Sequence, residues 1–193
     1  MSADLLLQAV RDRFPDAVTA SHAFRGDATV IVDRASVLEI ARVLRDDDAF
    51  QMNLLVDLTA VDYSTFGSKP SRAFFSSSGV GVHPSTAIPT ADPWPGPPPG
   101  ARFVVVYHFF SMKLKHRLRV EVLVQEDDAE LDSVTSLWAV ADWLEREVWD
   151  MFGIRFRGHP NLKRILMYEE FVGHPLRKDY PVDGRQPLIG PVN

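Results

Sequence analysis

The chain contains no cysteine. That absence excludes disulfides, thiolate zinc sites, a cysteine nucleophile and cysteine-ligated iron–sulfur clusters on this polypeptide. It fits a reducing compartment. Long apolar runs are scarce as well. The longest, around Phe103–Phe110, falls far short of the roughly 20 residues that span a bilayer, so membrane association is expected only through partners. The first residues, MSADLLLQAVR, carry no basic segment ahead of their apolar ones and read as a short amphipathic helix, not a signal peptide. No glycine fingerprint for a dinucleotide, no P-loop and no GxSxG elbow occurs, and Gly79-Val-Gly81 stands without the rest of any motif. Excess positive charge is missing too: the net charge of −5 gives no general case for nucleic-acid binding.

What is present suits one domain with an appendage: 193 residues, 46% of them apolar. A helix is predicted over 5–14, ended by Pro15. The β-branched run ATVIVD at 28–33 predicts a strand. Apolar residues at near-helical spacing predict a helix over 35–45, with Asp33 or Ser36 as its cap. Residues 52–63 (MNLLVDLTAVDY) predict a buried strand. Half of the 14 prolines lie between Pro84 and Pro99, which makes 64–100 an exposed loop or polyproline insertion, since proline lacks the amide donor. Strands over 103–110 and 116–124 follow as a hairpin. The second alternates, with Leu118, Val120, Val122 and Val124 opposite Arg117, Arg119 and Glu121. After an acidic turn at 125–132, a helix is predicted over 133–152 from the stripe Val134, Leu137, Trp138, Ala141, Leu144, Val148 and Phe152, with Gly153 at its C′ position. The order predicts an α+β fold: a mixed, largely antiparallel sheet with helices on one face. Residues 1–152 form the globular part, and 153–193 a long irregular arm for docking.

The segment 145–181 is the densest in chemistry. From Gly153 to Pro181 six Arg/Lys face three acids, inside an acidic protein, a basic docking surface for something acidic. Glu147 and Asp150 lie three apart near a helix C-terminus, where acids are unfavourable. Ion pairing with Arg155, Arg157 or the tail is favoured over acid–base work. His159 and His174 each sit between Gly and Pro. Packing of a rigid turn is favoured over metal ligation, because their backbone is irregular and no HExxH-type set surrounds them.

The run ERE-VWDMFGI-F-GHP-L-RILM, followed by GHPLRKDYP, resembles the signature of the 30-kDa subunit of respiratory complex I, the NADH:quinone oxidoreductase. The likeness reaches back to about Phe50 through LLVDLTAVDY; residues 1–49 match loosely, and the insertion at 64–100 is longer than the usual loop. The resemblance implies a hydrophilic peripheral-arm subunit, on the cytoplasmic side of the inner membrane, within a translocase that carries electrons from NADH to quinone. It implies no active site and no cofactor on this chain, with NADH, FMN, iron–sulfur clusters and quinone held by partner subunits. The neighbours it implies are the 49-kDa-type subunit and the iron–sulfur subunits, met through Glu147, Asp150, His159, Arg164, His174, Arg177, Lys178 and Asp179. The same signature fits an equivalent subunit of a membrane-bound hydrogenase or another quinone-reducing complex.

Overall fold

The hairpin of β4 (Phe103–Phe110) and β5 (Arg117–Val124) forms the centre of the molecule, with Tyr107 opposite Val120. The computed structural model describes residues 2–65 and 101–186, so most of the insertion at 64–100 and the last seven residues of the arm lie outside the described residues. β3 (Leu54–Asp62) pairs antiparallel with β4. On the other side, β2 (Asp27–Val32) pairs parallel with β5, and β1 (Val18–Phe24) pairs antiparallel with β2. The sheet order is β1-β2-β5-β4-β3, mixed and largely antiparallel as expected.

Three helices cover one face: α1 (Ala3–Arg13), α2 (Val37–Asp46) and α3 (Ala141–Phe152). Their apolar stripes, including Leu6, Val10, Ile40, Leu44 and Val148, share one core with the row Val30, Val120, Tyr107 and Leu58. The opposite sheet face carries the alternate row Ile31, Glu121, Val106 and Thr59.

Several expectations are corrected. β1 is an addition: VTASHAF mixes small, polar and apolar residues without alternation, and its turn to β2 is Arg25-Gly26 with both φ positive (52° and 87°), not the Asn-Gly or Asp-Gly that advertises a tight hairpin. β3 is an edge strand with a bulge between Leu55 and Asp57, not a buried one; Leu54 and Val56 are exposed. Glu121 alternates as expected yet is buried, with Arg119 Nη2 2.8 Å from its carboxylate. The cap expected at 33 or 36 falls to Asp33, which accepts from the Ala35 amide and starts a 3-10 turn (Arg34–Ser36) ahead of α2. Residues 133–140 are successive turns, so α3 begins at Ala141. Ser133 and Thr135 hydroxyls bond each other at 2.8 Å, and the Ser133 hydroxyl also accepts the Thr135 amide at 3.2 Å, a local competitor to helical bonding. The apolar stripe still predicts burial there: Val134 and Trp138 are core residues. The acidic turn contains a short strand, β6 (Glu130–Asp132), which pairs parallel with β7 (Arg155–Arg157) at the start of the arm.

Candidate docking site

Gly153 ends α3 at φ +81°, a left-handed residue that turns the chain back over its own helix. Close approach also demands glycine here. A Cβ at Gly153 would stand 2.7 Å from the His174 ring. The turn lets the arm return to cover the C-terminal end of α3.

The returning arm is fixed by Asp150, whose side chain is wholly buried. Its Oδ2 accepts the backbone N–H groups of Ile165, Leu166 and Met167 at 3.0, 2.9 and 2.9 Å. Its Oδ1 takes Arg164 Nη1 at 2.5 Å. Burial alone would raise this carboxyl; the Met167 amide, the Arg164 guanidinium and the other two amides outweigh it and hold the group below the ordinary carboxylate range. Arg164 then spends its other nitrogen on the Phe171 and Gly173 carbonyls at 2.8 and 3.1 Å. Its plane lies against Trp149 and Phe171. One ion pair therefore folds three separated stretches of arm onto a helix end that has no basic residue in its last turn.

The two histidines serve the same purpose. His174 Nδ1–H donates to the Asp150 carbonyl at 3.0 Å. Burial lowers its pKa, the Asp150 carbonyl opposes that, and Arg164 and Arg177 add to the lowering. His159 Nδ1 accepts from the Asn161 amide at 3.0 Å, so its Nε2–H donates to the Asp142 carbonyl at 3.1 Å. Among the described residues no group of three His, Cys, Asp or Glu could hold a metal ion. Glu147 differs from Asp150: it is exposed and has no ion pair among the described residues. Arg155 is also exposed, and Arg157 pairs with Asp132 at 2.9 Å, so the partner of Asp150 is Arg164 alone of the bases considered.

A second cluster joins the arm to the base of the insertion. Asp62 ends β3 and Arg102 precedes β4; Tyr63 N–H bonds the Arg102 carbonyl at 2.8 Å, closing the stem. Arg102 meets Asp62 at 3.1 Å and Asp179 at 2.6 Å, and also contacts Glu126. Arg177 bonds Glu126 at 2.6 Å, and the Lys178 amide donates to Asp62 at 2.9 Å. Both guanidinium groups lie over Phe103, at 4.9 and 5.2 Å. Burial would raise Asp62; Arg102 and the Lys178 and Ser64 amides instead hold it at about 2. The Lys178 ammonium and most of Asp179 stay in solvent.

Of the expected site residues, then, Asp150, Arg164, His159 and His174 shape the arm from within; Arg177 and Asp179 bind it to the stem; Glu147 and Lys178 point outward. Three participants carried no signal in the sequence. Arg146 donates to the Lys163 and Arg164 carbonyls at 3.0 Å each. Arg102 and Glu126 belong to the stem cluster. Around these anchors the arm exposes Leu166, Val172, Leu176 and Val182. The arm thus uses most of its polar groups internally and leaves these apolar side chains on its surface, the composition of a candidate docking face.

The comparisons with known proteins identify the family. Residues 30–186 match the family described as the respiratory-chain NADH dehydrogenase 30 kDa subunit. The C-type subunit of the NADH-quinone oxidoreductase of Citrifermentans bemidjiense is 42% identical over 94% of this chain and 92% of its own length. Its counterpart from Coxiella burnetii is 39% identical over 95% and 80%. Among solved structures, a trypsin-resistant fragment of Nqo5 is 30% identical, with a TM-score of 0.57 over 82% of this chain and 98% of that one. A chain of an archaeal membrane-bound sulfane sulfur reductase shares the fold alone, at 19% identity and TM-score 0.60, over 93% of this chain and 85% of its own. The chain belongs to the 30-kDa-subunit family of the respiratory NADH dehydrogenase. It is a peripheral-arm subunit of complex I.

Proposed function

We propose that this chain is a structural member of the quinone-reducing part of a proton-translocating NADH:quinone oxidoreductase. Residues 1–152 supply the folded platform and 153–193 the docking arm, although Ile154 and Phe156 are packed in the platform core. The partners are the 49-kDa-type subunit and the iron–sulfur subunits, on the cytoplasmic side of the inner membrane. NADH, FMN, iron–sulfur clusters and quinone reside on those partners. The absence of cysteine from the sequence supports this division for the clusters.

In this reading the docking face joins Glu147, Lys178 and Asp179 to the exposed Leu166, Val172 and Leu176. Asp150, His159, Arg164, His174 and Arg177 act indirectly, by fixing the arm's shape. Preorganisation of that kind lowers the ordering cost of association. A specific interface buries roughly 1,200–2,000 Å² in total, and an arm of this length supplies a large part of that. The observation that carries the reading is 42% identity over 94% of the chain to an NADH-quinone oxidoreductase C-type subunit.

The test is affinity purification of the tagged chain from detergent-solubilised membranes, with an NADH:quinone activity assay on the eluate. Co-purifying subunits with inhibitor-sensitive NADH oxidation are expected. Co-purifying subunits without NADH activity would instead establish the equivalent subunit of a hydrogenase-like relative. Lys178→Ala should lower complex abundance on native gels while the isolated chain stays folded, since its side chain is exposed.

A further inference from the structure

On the sheet face turned away from the helices, one row of side chains runs across all five strands. The pairings place His22 beside Thr29, Thr29 beside Arg119, Arg119 beside His108 and His108 beside Asp57. Arg117 lies two residues earlier on β5 and points to the same side. His22, Thr29, His108, Arg117 and Arg119 line a cavity of about 260 Å³, whose apolar wall includes Phe24 and Val56.

The cavity is rich in donors that nothing in the fold uses. Arg117 has no ion pair among the described residues and lies only against the Phe110 ring. Arg119 gives Nη2 to Glu121, yet its Nε is buried with no acceptor. Neither His22 nor His108 makes a hydrogen bond among the described residues. Asp27 is the acid in the lining, and it pairs with neither arginine. Two planar guanidinium groups beside an apolar wall match a carboxylate that carries a hydrocarbon body.

We propose that this cavity binds a small organic carboxylate, its oxygens on Arg117 and the His108 ring, its apolar body against Phe24 and Val56. The site is remote from the arm and independent of the docking reading. Benzoate titrated into the full chain, followed by NMR of the histidine ring protons, tests it. Saturable shifts at His22 and His108 are expected, with Kd on the order of 1 mM for so small a ligand. Acetate should bind more weakly for want of a body, and benzyl alcohol should give no saturable shift for want of a charge. Arg117→Gln should weaken benzoate roughly tenfold; the side chain is exposed and unpaired, so the fold should survive. Val56→Asp, which brings a negative charge to the rim at an exposed edge position, should do the same by repulsion. Absence of saturation with benzoate, equal response to benzyl alcohol, or unchanged affinity in both variants would overturn the proposal.

Discussion

Glu145 lies on the first turns of α3 with no exposed surface, and only half of its carboxylate is satisfied. Oε1 accepts the Val134 amide at 2.7 Å; Oε2 is buried without a partner among the described residues. Burial raises this carboxyl from 4.5 to about 7, the Ser133 hydroxyl and Val134 amide oppose the rise, and Asp142 adds to it. A carboxyl whose folded pKa is raised holds its proton more tightly in the folded state. Its penalty is therefore absent below the unfolded value near 4.5, grows as pH rises, and is complete above about 7. At 1.36 kcal/mol per pH unit, the shift amounts to roughly 3 kcal/mol. Glu145→Gln keeps the shape and mimics the protonated form. Its stability relative to wild type should rise by roughly 3 kcal/mol between pH 4.5 and 7 and then level off, or about 6–12 °C in Tm for a domain of this size. Chemical denaturation of both proteins from pH 5 to 8.5 measures this. His108 and His174 have lowered pKa values, so both proteins also lose stability as pH falls below 6.5. That slope cancels in the difference. A stability difference that stays constant from pH 5 to 8.5 would refute the assignment of an unrelieved buried charge to Glu145.

Asp150→Asn should leave Arg164 without its counter-charge and cost about 3–5 kcal/mol, with the arm beyond Gly158 cleaved by trypsin while the platform stays protected. Gly153→Ala should destabilise by more than the roughly 1–2 kcal/mol of a left-handed alanine, because the added methyl strikes the His174 ring; thermal melts measure the loss. Arg102→Ala strips Asp62 of its ion pair, so the Asp62 carboxyl should move up from about 2. Its contribution is full above the unfolded value near 4 and fades as pH falls through the folded one. The variant should accordingly lose stability at pH 7 yet show a flatter acid limb than wild type.

How much of this was legible in the sequence depends on how local each cause is. The alternation over 117–124 and the Gly153 stop are short-range signals, and the strand and the end of α3 appear where expected. β6 and β7 are three residues each and exist only because the arm returns beside the acidic turn, which no window of sequence contains. The need of Asp150 for a tail partner followed from an acid at a helix C-terminus; which base answers it did not. The stem cluster was invisible. Asp62 reaches Arg102 across 40 positions and the Lys178 amide across 116, and nothing in spacing marks such pairs.

The manner in which the arm is anchored has one more consequence. Asp150 holds residues 165–167 by their peptide nitrogens, not by their side chains. Any amino acid except proline offers that nitrogen. The Leu166 side chain, which faces solvent, is thus released from the duty of holding the arm in place. Met167 still packs against the platform core, so it is the solvent-facing Leu166 that the backbone latch leaves available to the surface the arm meets.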